Sequence, residues 1–239
     1  MRDPAHHLFF TRQVRDSEVI LDKEETHHAR AVLRLKTGDR FRATDGRGAI
    51  YECAVDDFSG GLCRGRVGEV VSPPIVLPAL TLLVGIPGRD AAEALMRDCA
   101  VLGVARIVPV VSGNCRDRWW RGGWEKHGGR LERKMIAGLK QSLNPRLPEL
   151  SPPRDFKRVL GDPPGAEYVA DAGGTVPGSI SFPDGETPLR AWVGPPGGFT
   201  PEEERALGER KVVGIRLSRH RLRTETAALL LCATLLQPR

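Results

Sequence analysis

The residues best suited to chemistry lie in a bare turn near the end of the chain. The sequence GPPGG at Gly194–Gly198 follows a short apolar run and precedes an acidic helix start. Glycines let another group lie directly against the main chain, and prolines fix the turn. The next residues, TPEE from Thr200 to Glu203, have the order of an N-cap, a proline and a glutamate at the third helical position. The pattern predicts either a turn whose backbone holds a ligand or a tight strand-to-helix connection.

A second candidate is a basic stretch that is rich in tryptophan. Between Asn114 and Arg146 lie nine lysines or arginines and three acidic residues. The net charge of this window is therefore +6, equal to the net charge of the whole chain. Three of the four tryptophans lie in the same window. Cations beside aromatic rings suit a phosphate backbone and unstacked bases. We predict a nucleic-acid surface; a solvated helix face with a hydrophobic plug is the alternative.

Composition excludes several classes of protein. The chain has 239 residues, of which 40% are hydrophobic, and this suits one or two soluble domains. No apolar run approaches the roughly 18 residues of a membrane span, and the N-terminus does not resemble a signal peptide. The five cysteines are widely spaced and form no CxxC pair, so a disulfide framework is not expected. The cysteine pattern suits a reducing compartment, so we expect a cytoplasmic location. The adjacent His27 and His28 lack a ligand cluster, so we expect no metal.

These residues must be positioned by two domains that meet at a proline-rich joint, Val70–Pro78. Before the joint, apolar residues alternate around Phe41–Ala43 and Tyr51–Val55, with the sequence DGRG between them. Alternation with a glycine-bearing turn predicts short antiparallel strands of a small barrel. The preceding residues 23–39 are expected to form a short helix or turn that carries Arg30 and Arg34.

After the joint the pattern is that of an α/β domain. The continuous apolar run Ala79–Ile86 predicts a strand buried on both faces. A helix with Leu95, Cys99 and Leu102 on one face follows and is closed by Gly103. Strands alternating with helices predict a largely parallel sheet. Further strands are expected at 105–112, 166–172, 189–194 and 212–217, and helices near 130–143, at 200–210 and from residue 224.

Four bare or polar turns each follow a predicted strand, at 85–90, 171–174, 194–198 and 217–226. Ligands bind outside the carboxyl ends of parallel strands, so these turns predict a cleft. The sequence has no GxxxxGK[ST], no GxGxxG after the first strand and no GxSxG. These absences argue against a P-loop, a dinucleotide fingerprint and an acyl-transfer enzyme.

The order of several motifs resembles a known family. The sequences HARAVLRLKTGD, LGVARIVPVVS, GPPGGFTPEE and LSRHRLRTETAALLL occur in this order over nearly the whole chain. Together they resemble the 16S ribosomal RNA uracil-N3 methyltransferase family of the SPOUT superfamily. The resemblance implies a PUA-like β-barrel domain at residues 1–72 and an α/β trefoil-knot methyltransferase domain at 73–239. It also implies S-adenosylmethionine as cofactor, ribosomal RNA or the small subunit as partner, and a homodimer formed through the C-terminal domain.

The resemblance also implies a set of site residues. The turn Gly194–Gly198 would form one wall of the cofactor pocket and Leu217–Thr226 the second. The implied cofactor-binding residues are Asp171, Ala172, Val193, Gly194, Pro195, Gly197, Gly198, Leu217, Ser218, Leu222, Thr224 and Thr226. The expected RNA-binding residues are Arg30, Arg34, Arg116, Arg118, Arg130, Arg133, Lys134 and Lys140.

Two residues of the last segment are the candidates for catalysis. N3 of uridine is a weak acid that attacks a methyl group only as its proton leaves, so negative charge on the ring must be stabilised. Arg223 is the expected stabilising group, and Glu225 would position it or assist proton transfer. A phosphate contact for Arg223 and a carboxylate at a helix start for Glu225 are the alternatives.

The sequence departs from the family pattern at five places. Pro196 replaces the glutamate of GPEGG, Ala91 a lysine, Val101 the glutamate of ELGV, and Asn144 the arginine of EQSGR. Ser218 and Arg219 replace the Gly-Pro of LGPR. These departures leave three readings open: an active ribosomal RNA methyltransferase, a SPOUT enzyme for another RNA uridine, or a non-catalytic RNA-binding relative. The presence of Arg223, Thr224 and Glu225 together favours an enzyme.

Overall fold

The computed structural model describes residues 7–15, 17–72, 79–116, 119–121, 123–183 and 187–237. The chain divides into two compact units. The first comprises the described residues before the gap at 73–78, together with Ile136–Leu147. The second comprises the described residues of Ile75–Met135 and Pro148–Arg239. The segment Ile136–Leu147 distinguishes this division from the predicted boundary between residues 72 and 73, which lies at the edge of the described residues.

The first unit is built on a six-stranded sheet. The strand order is β1-β4-β5-β6-β3-β2, in which β1 runs parallel to β4 and the other neighbours are antiparallel. The predicted strands around Phe41 and Tyr51 are β4 and β5, and DGRG is the turn between them. The strands are β1 (Leu8–Phe10), β2 (Gln13–Arg15), β3 (Glu18–Ile20), β4 (Arg40–Thr44), β5 (Ile50–Asp57) and β6 (Arg64–Val71).

The sheet curls around an apolar core. Thr11 brings distant strands together, since its backbone N donates to Thr44 O at 2.9 Å and its hydroxyl donates to Ile20 O. Phe9 and Phe41 meet edge to face inside the curl and are fully buried. Large apolar rings on the inner face of the strands therefore supply the burial that stabilises this small unit.

The short helix or turn expected at residues 23–39, ahead of β4, is present as a helix. Helix α1 (Lys23–His27) begins at Asp22, whose side chain accepts a hydrogen bond from Glu25 N at 2.8 Å. It continues as a π-helical turn at His28–Val32, which carries Arg30. Arg34 follows with a φ of 58°, a left-handed conformation that ends the helical turn.

The second unit is an α/β domain with a parallel sheet. The strand order is β10-β8-β7-β12-β11-β13, and β9 also pairs with β8. All of these pairings are parallel. The strands are β7 (Leu80–Gly85), β8 (Arg106–Val111), β9 (Glu149–Leu150), β10 (Arg154–Asp155), β11 (Ala166–Thr175), β12 (Leu189–Val193) and β13 (Val213–Ile215). The helices of this unit are α2 (Arg89–Leu102), α4 (Phe156–Leu160), α5 (Pro201–Glu209) and α6 (Thr224–Leu236). Residues 124–135 of α3 (Trp124–Ser142) also belong to this unit, whereas the rest of α3 belongs to the first unit.

The apolar patterns explain the central elements. Every residue of β12 is buried, and five of the six residues of β7 are buried, as expected of strands with helices on both faces. Helix α2 ends at Gly103, whose φ of 83° allows the left-handed cap that the sequence predicted. Helix α6 packs against α2, β7 and β12. Its buried residues include Ala228, Leu231 and Leu235.

A buried cluster of charged side chains connects strands β11 and β12. The Glu167 carboxylate on β11 accepts a hydrogen bond from Trp192 Nε1 at 2.7 Å and forms an ion pair with Arg210 at 2.6 Å. Arg190 donates to Pro163 O and Val159 O at 2.8 and 2.9 Å. Because burial removes water from these charges, their mutual bonds are needed to offset the desolvation cost.

Three expectations for the second unit need correction. Strand β11 continues through the sequence DAGG to Thr175, with a break in its register against β13 between Ala170 and Thr175, so DAGG is an irregular part of a strand. Helix α3 begins at Trp124, ahead of the expected start near residue 130. The short elements β9, β10 and α4 were not predicted, because two to five residues carry too little periodicity.

No helix among the described residues has the length and apolarity to cross a membrane.

Candidate active site

The turn that follows β12 lies against the end of β7. A Cβ added to Gly85 would collide with the backbone of Pro195, so the close approach requires glycine. Gly198 N donates to Pro195 O at 2.7 Å and closes the turn. Gly198 has a φ of 75°, and the space beside it, where a Cβ would point, is open. Pro195 is buried, whereas Pro196 and Gly197 are exposed. The main chain of Pro196 and Gly197 is therefore accessible at the carboxyl edge of the sheet.

The predicted helix start after this turn is confirmed in detail. Thr200 caps α5, its side chain accepts from Glu203 N at 3.2 Å, and Thr200 N donates to Glu203 Oε2 at 2.9 Å. Pro201 occupies the first turn, where its missing N–H costs no helical hydrogen bond. The cap fixes the direction in which the chain leaves the turn at Gly194–Gly198.

The second predicted wall lies beside the first. Thr224 Oγ1 donates to Gly194 O at 3.1 Å, and Arg221 Nη2 donates to Pro196 O at 3.2 Å. Thr224 is buried. Ser218 Oγ accepts from His220 N at 3.0 Å, so a serine turn stands where the family pattern has Gly-Pro. The structure thus brings together the two segments that sequence reasoning paired, through hydrogen bonds between residues 30 and 25 positions apart in the sequence.

The two candidate catalytic residues stand at the start of α6. Arg223 is the N-cap residue and is exposed, and Glu225 is half-buried in the first turn. Neither side chain has a hydrogen bond or ion pair with another described residue. A carboxylate in this position interacts favourably with the helix dipole. The guanidinium of Arg223 is free to contact a ligand that approaches the turn.

Asp171 and Ala172 are more weakly connected to this site. Both are exposed on the irregular part of β11, and Asp171 Oδ1 accepts from Gly173 N at 2.9 Å. Within the described residues, no hydrogen bond joins either of them to the turn at Gly194–Gly198. Their assignment to the cofactor remains a prediction.

Sequence reasoning assigned the loop after β8 to the basic surface and missed its contacts with the loops after β7 and β12. Asn114 Nδ2 donates to Gly197 O and Phe199 O at 3.4 and 3.3 Å. Trp119 Nε1 donates to Pro87 O at 2.9 Å, in the loop after β7. The rule that named the other four turns also applies here, because this loop follows a buried parallel strand, β8.

Several of the predicted RNA-binding cations already have acidic partners. Arg130 and Lys134 both pair with the buried Glu93, Lys134 at 3.4 Å, and the Arg130 guanidinium holds the pKa of that carboxyl below its usual value. Within the first unit, Lys140 Nζ lies 2.5 Å from Glu25 Oε1. These three charges are at least partly neutralised, which the count of basic residues could not reveal.

The remaining basic residues are more available. Arg116, Arg133 and Arg34 are exposed and have no ion pair among the described residues. The Arg30 guanidinium lies over the Phe58 ring at 5.6 Å from its centroid. Arg118 lies outside the described residues. No cluster of three or more histidine, cysteine or acidic side chains suited to a metal occurs in the part of the chain that the structure describes.

Comparisons with known proteins agree with this architecture. The RNA methyltransferase domain family matches residues 76–236, and an RNA methyltransferase PUA domain matches residues 21–64. The chain is 26% identical over 238 residues to the ribosomal RNA small subunit methyltransferase E of Mycobacterium bovis, covering 92% of this chain and 87% of the relative.

Solved structures are similar over almost the full length. A probable rRNA-methyltransferase from Porphyromonas gingivalis has a TM-score of 0.82 at 26% identity, with 95% of each chain covered. The ribosomal RNA small subunit methyltransferase E from Neisseria gonorrhoeae, bound to S-adenosyl methionine, has a TM-score of 0.82 at 23% identity, also with 95% of each chain covered, and this likeness concerns the fold. The predicted α/β fold with an N-terminal PUA-like domain is confirmed. The chain belongs to the RNA methyltransferase family whose domain spans residues 76–236.

Proposed function

We propose that the protein transfers a methyl group from S-adenosylmethionine to N3 of a uridine in small-subunit (16S) ribosomal RNA. The observation that carries the proposal is the junction of the two predicted walls, where Thr224 and Arg221 donate to the carbonyls of Gly194 and Pro196. The family of the chain and the names of its relatives support the choice of RNA as substrate. A ribosomal substrate also suits the expected cytoplasmic location.

The residues around the turn fit such a cofactor. The space beside Gly198 is open, and the neighbouring backbone of Pro196 and Gly197 is exposed, so a ligand can approach the main chain. Leu217 and Leu222 are half-buried apolar residues that suit an adenine ring. The residues proposed to hold the cofactor are Asp171, Ala172, Val193, Gly194, Pro195, Gly197, Gly198, Leu217, Ser218, Leu222, Thr224 and Thr226.

The proposed chemistry requires little from the protein beyond orientation and charge. When bound, S-adenosylmethionine supplies an electrophilic methyl group. Arg223 would stabilise the negative charge that develops on the uracil ring as the N3 proton leaves. Glu225 would orient Arg223 or accept the proton. Holding N3 in line with the methyl group would lower the barrier further, because it removes the entropy cost of alignment.

The test of this proposal is methyl transfer to small ribosomal subunits that lack the modification. Incorporation of label from S-adenosylmethionine, mapped to N3 of one uridine, is the expected result. Transfer to a different RNA but not to small subunits would favour another SPOUT activity. Binding of RNA without transfer to any of these substrates would favour a non-catalytic relative and would contradict the proposal.

RNA affinity is proposed to arise from exposed cations of both units. The PUA-like domain, residues 1–72, would contribute Arg30 and Arg34, and the basic stretch Arg116–Arg146 would contribute the rest. Lysine and arginine neutralise phosphates and release counterions, so their effect depends on salt. Arg133, which is exposed and has no described ion pair, is expected to contribute more than Arg130, whose charge is offset by Glu93.

Arg133→Ala and Arg34→Ala are expected to weaken RNA binding and to reduce the slope of log K against log salt by about one each. Arg130→Ala is expected to change the slope less, because Arg130 pairs with Glu93. Arg205→Ala, which removes an exposed arginine of α5 outside the predicted RNA surface, is the control. Binding of a small-subunit RNA fragment measured at several salt concentrations provides the slopes. Equal slopes for Arg133→Ala and Arg205→Ala would remove Arg133 from the RNA surface.

The same proposal includes a homodimer formed through the C-terminal domain. Helix α6 is apolar around its circumference, and Leu230 remains 41% exposed on it. Val101, on the neighbouring α2, is 38% exposed. Exposed apolar side chains on two packed helices favour a contact with a second copy.

Leu230→Asp is therefore expected to convert the dimer to a monomer, because a carboxylate at an apolar contact must lose its water without gaining a partner. Val176→Asp is the matched control, since Val176 is 42% exposed in the same unit but lies outside α2 and α6. Sedimentation at micromolar concentration gives the mass. A wild-type monomer, or a Leu230→Asp dimer, would contradict this interface.

A further inference from the structure

The carboxylate of Glu203 joins two loops of the second unit. Its Oε2 accepts from Ser112 Oγ at 2.7 Å and from Thr200 N at 2.9 Å. Its Oε1 accepts from Gly113 N at 2.9 Å. Thr200 belongs to the chain that leaves the Gly194–Gly198 turn, whereas Ser112 and Gly113 belong to the loop after β8. One side chain therefore receives three hydrogen bonds from two segments that are distant in sequence.

This arrangement exceeds what a helix cap requires. The capping box of α5 is complete with the reciprocal bonds between Thr200 and Glu203. The bonds from Ser112 and Gly113 add nothing to the cap, but they fix the loop after β8. Ser112 is 4% exposed, and a buried hydroxyl that loses its acceptor costs free energy.

The packing of the two segments is as close as glycine allows. A Cβ on Gly113 would lie 2.7 Å from Thr200 Cγ2, below the distance that real side chains tolerate. The next residue, Asn114, donates to the carbonyls of Gly197 and Phe199. Direct hydrogen bonds thus connect the loop after β8 to the exposed turn proposed to hold the cofactor.

We propose that Glu203 is a positioning residue for cofactor binding: by holding Ser112 and Gly113, it fixes the loop from which Asn114 orients the Gly194–Gly198 turn for S-adenosylmethionine. The inference rests on the proposed function, because it needs that turn to bind the cofactor. A carboxylate is suited to the task, because it is an acceptor at both oxygens. A glutamine would present an NH2 group to at least one of the three donors.

The experiment compares Glu203→Gln with Glu202→Gln in the full-length protein. Glu202 lies in the same first turn and is exposed, so it is matched in charge and helix position. Calorimetry is expected to show a dissociation constant for S-adenosylmethionine about 10-fold higher in Glu203→Gln, in line with the loss of charge-assisted hydrogen bonds. Glu202→Gln is expected to bind as the wild type does. At saturating cofactor and RNA, the maximal rate of Glu203→Gln should stay within about twofold of wild type, since the residue does not act in the transition state.

A second variant separates positioning from helix capping. Ser112→Ala removes one hydrogen bond to Glu203 and leaves the capping box intact, so it is expected to weaken cofactor binding by a smaller factor. If Glu203→Gln lowers the unfolding temperature while both variants bind the cofactor as wild type does, Glu203 is only a cap and the inference is overturned. If Glu203→Gln does not fold, unchanged affinity in Ser112→Ala overturns it. A wild-type protein that does not bind the cofactor would instead refute the proposed function on which the inference rests.

Discussion

Valine in place of Gly197 is expected to abolish binding of S-adenosylmethionine and to leave the fold intact. Gly197 is exposed on the turn, yet a Cβ added to it would lie 3.2 Å from Asn114 Cβ and 3.3 Å from Asn114 O. A branched side chain must therefore displace the loop after β8 or occupy the ligand's approach to the backbone. Either change removes the close contact with the main chain that glycine permits.

Gly197→Val is expected to act through steric contact of the new side chain and not through backbone strain. The positive φ of this turn lies at Gly198 and not at Gly197, so the strain that a side chain would suffer at positive φ does not contribute to Gly197→Val. The site is at the surface of the unit, away from the buried residues of β12, and overpacking there should cost little stability. Loss of binding should therefore occur in a folded protein.

Calorimetry with S-adenosylmethionine measures the effect, and circular dichroism with thermal unfolding verifies the fold. Gly178→Val is the matched control, because Gly178 is an exposed glycine of the same unit with no atom within 4 Å of its added Cβ and no positive φ. The control is expected to bind the cofactor normally. If Gly197→Val binds with the affinity of wild type, the Gly194–Gly198 turn is not part of the cofactor site.

The elements that the sequence predicted well are those with a strong local cause. The apolar run Ala79–Ile86 identified β7, because a strand covered on both faces is largely apolar. Thr200 and Glu203 marked the start of α5, because a capping box depends on residues three apart in sequence. Gly103 likewise marked the end of α2, since only glycine readily takes its φ of 83°.

What the sequence did not reveal depends on residues that are distant along the chain. The bonds from Ser112 and Gly113 to Glu203 join segments about ninety residues apart, and neither residue type suggests such a partner. The neutralisation of Arg130 by Glu93 was missed for the same reason. The expectation of a knot came only from the family resemblance, because periodicity indicates local structure and not the path of the chain.

The largest catalytic effect is expected from Arg223→Ala. Arg223 is exposed at the N-cap of α6, and its neighbour Thr224 donates to Gly194 O. The backbone of Arg223 therefore lies next to a residue that contacts the turn proposed to hold the cofactor, and its guanidinium has no hydrogen bond or ion pair with another described residue. Charge on the uracil ring develops only as the N3 proton leaves, so a group that stabilises it acts in the transition state. We expect the methylation rate at saturating RNA and cofactor to fall on the order of 10²-fold or more, as for loss of one preorganised electrostatic donor.

The role of Arg223 is decided by whether Arg223→Ala changes the maximal methylation rate or the affinity for RNA. A transition-state contact lowers the maximal rate and leaves the RNA concentration for half-maximal rate nearly unchanged, whereas a phosphate contact raises that concentration and spares the maximal rate. Arg205→Ala, on the exposed surface of α5, should change neither quantity. Arg223→Lys should restore part of the rate, because it keeps the charge but loses the planar fork of donors. If Arg223→Ala changes only the RNA concentration required, Arg223 binds phosphate. Glu225 and the backbone N–H groups of the segment Leu217–Thr226 then become the next candidates for the catalytic role.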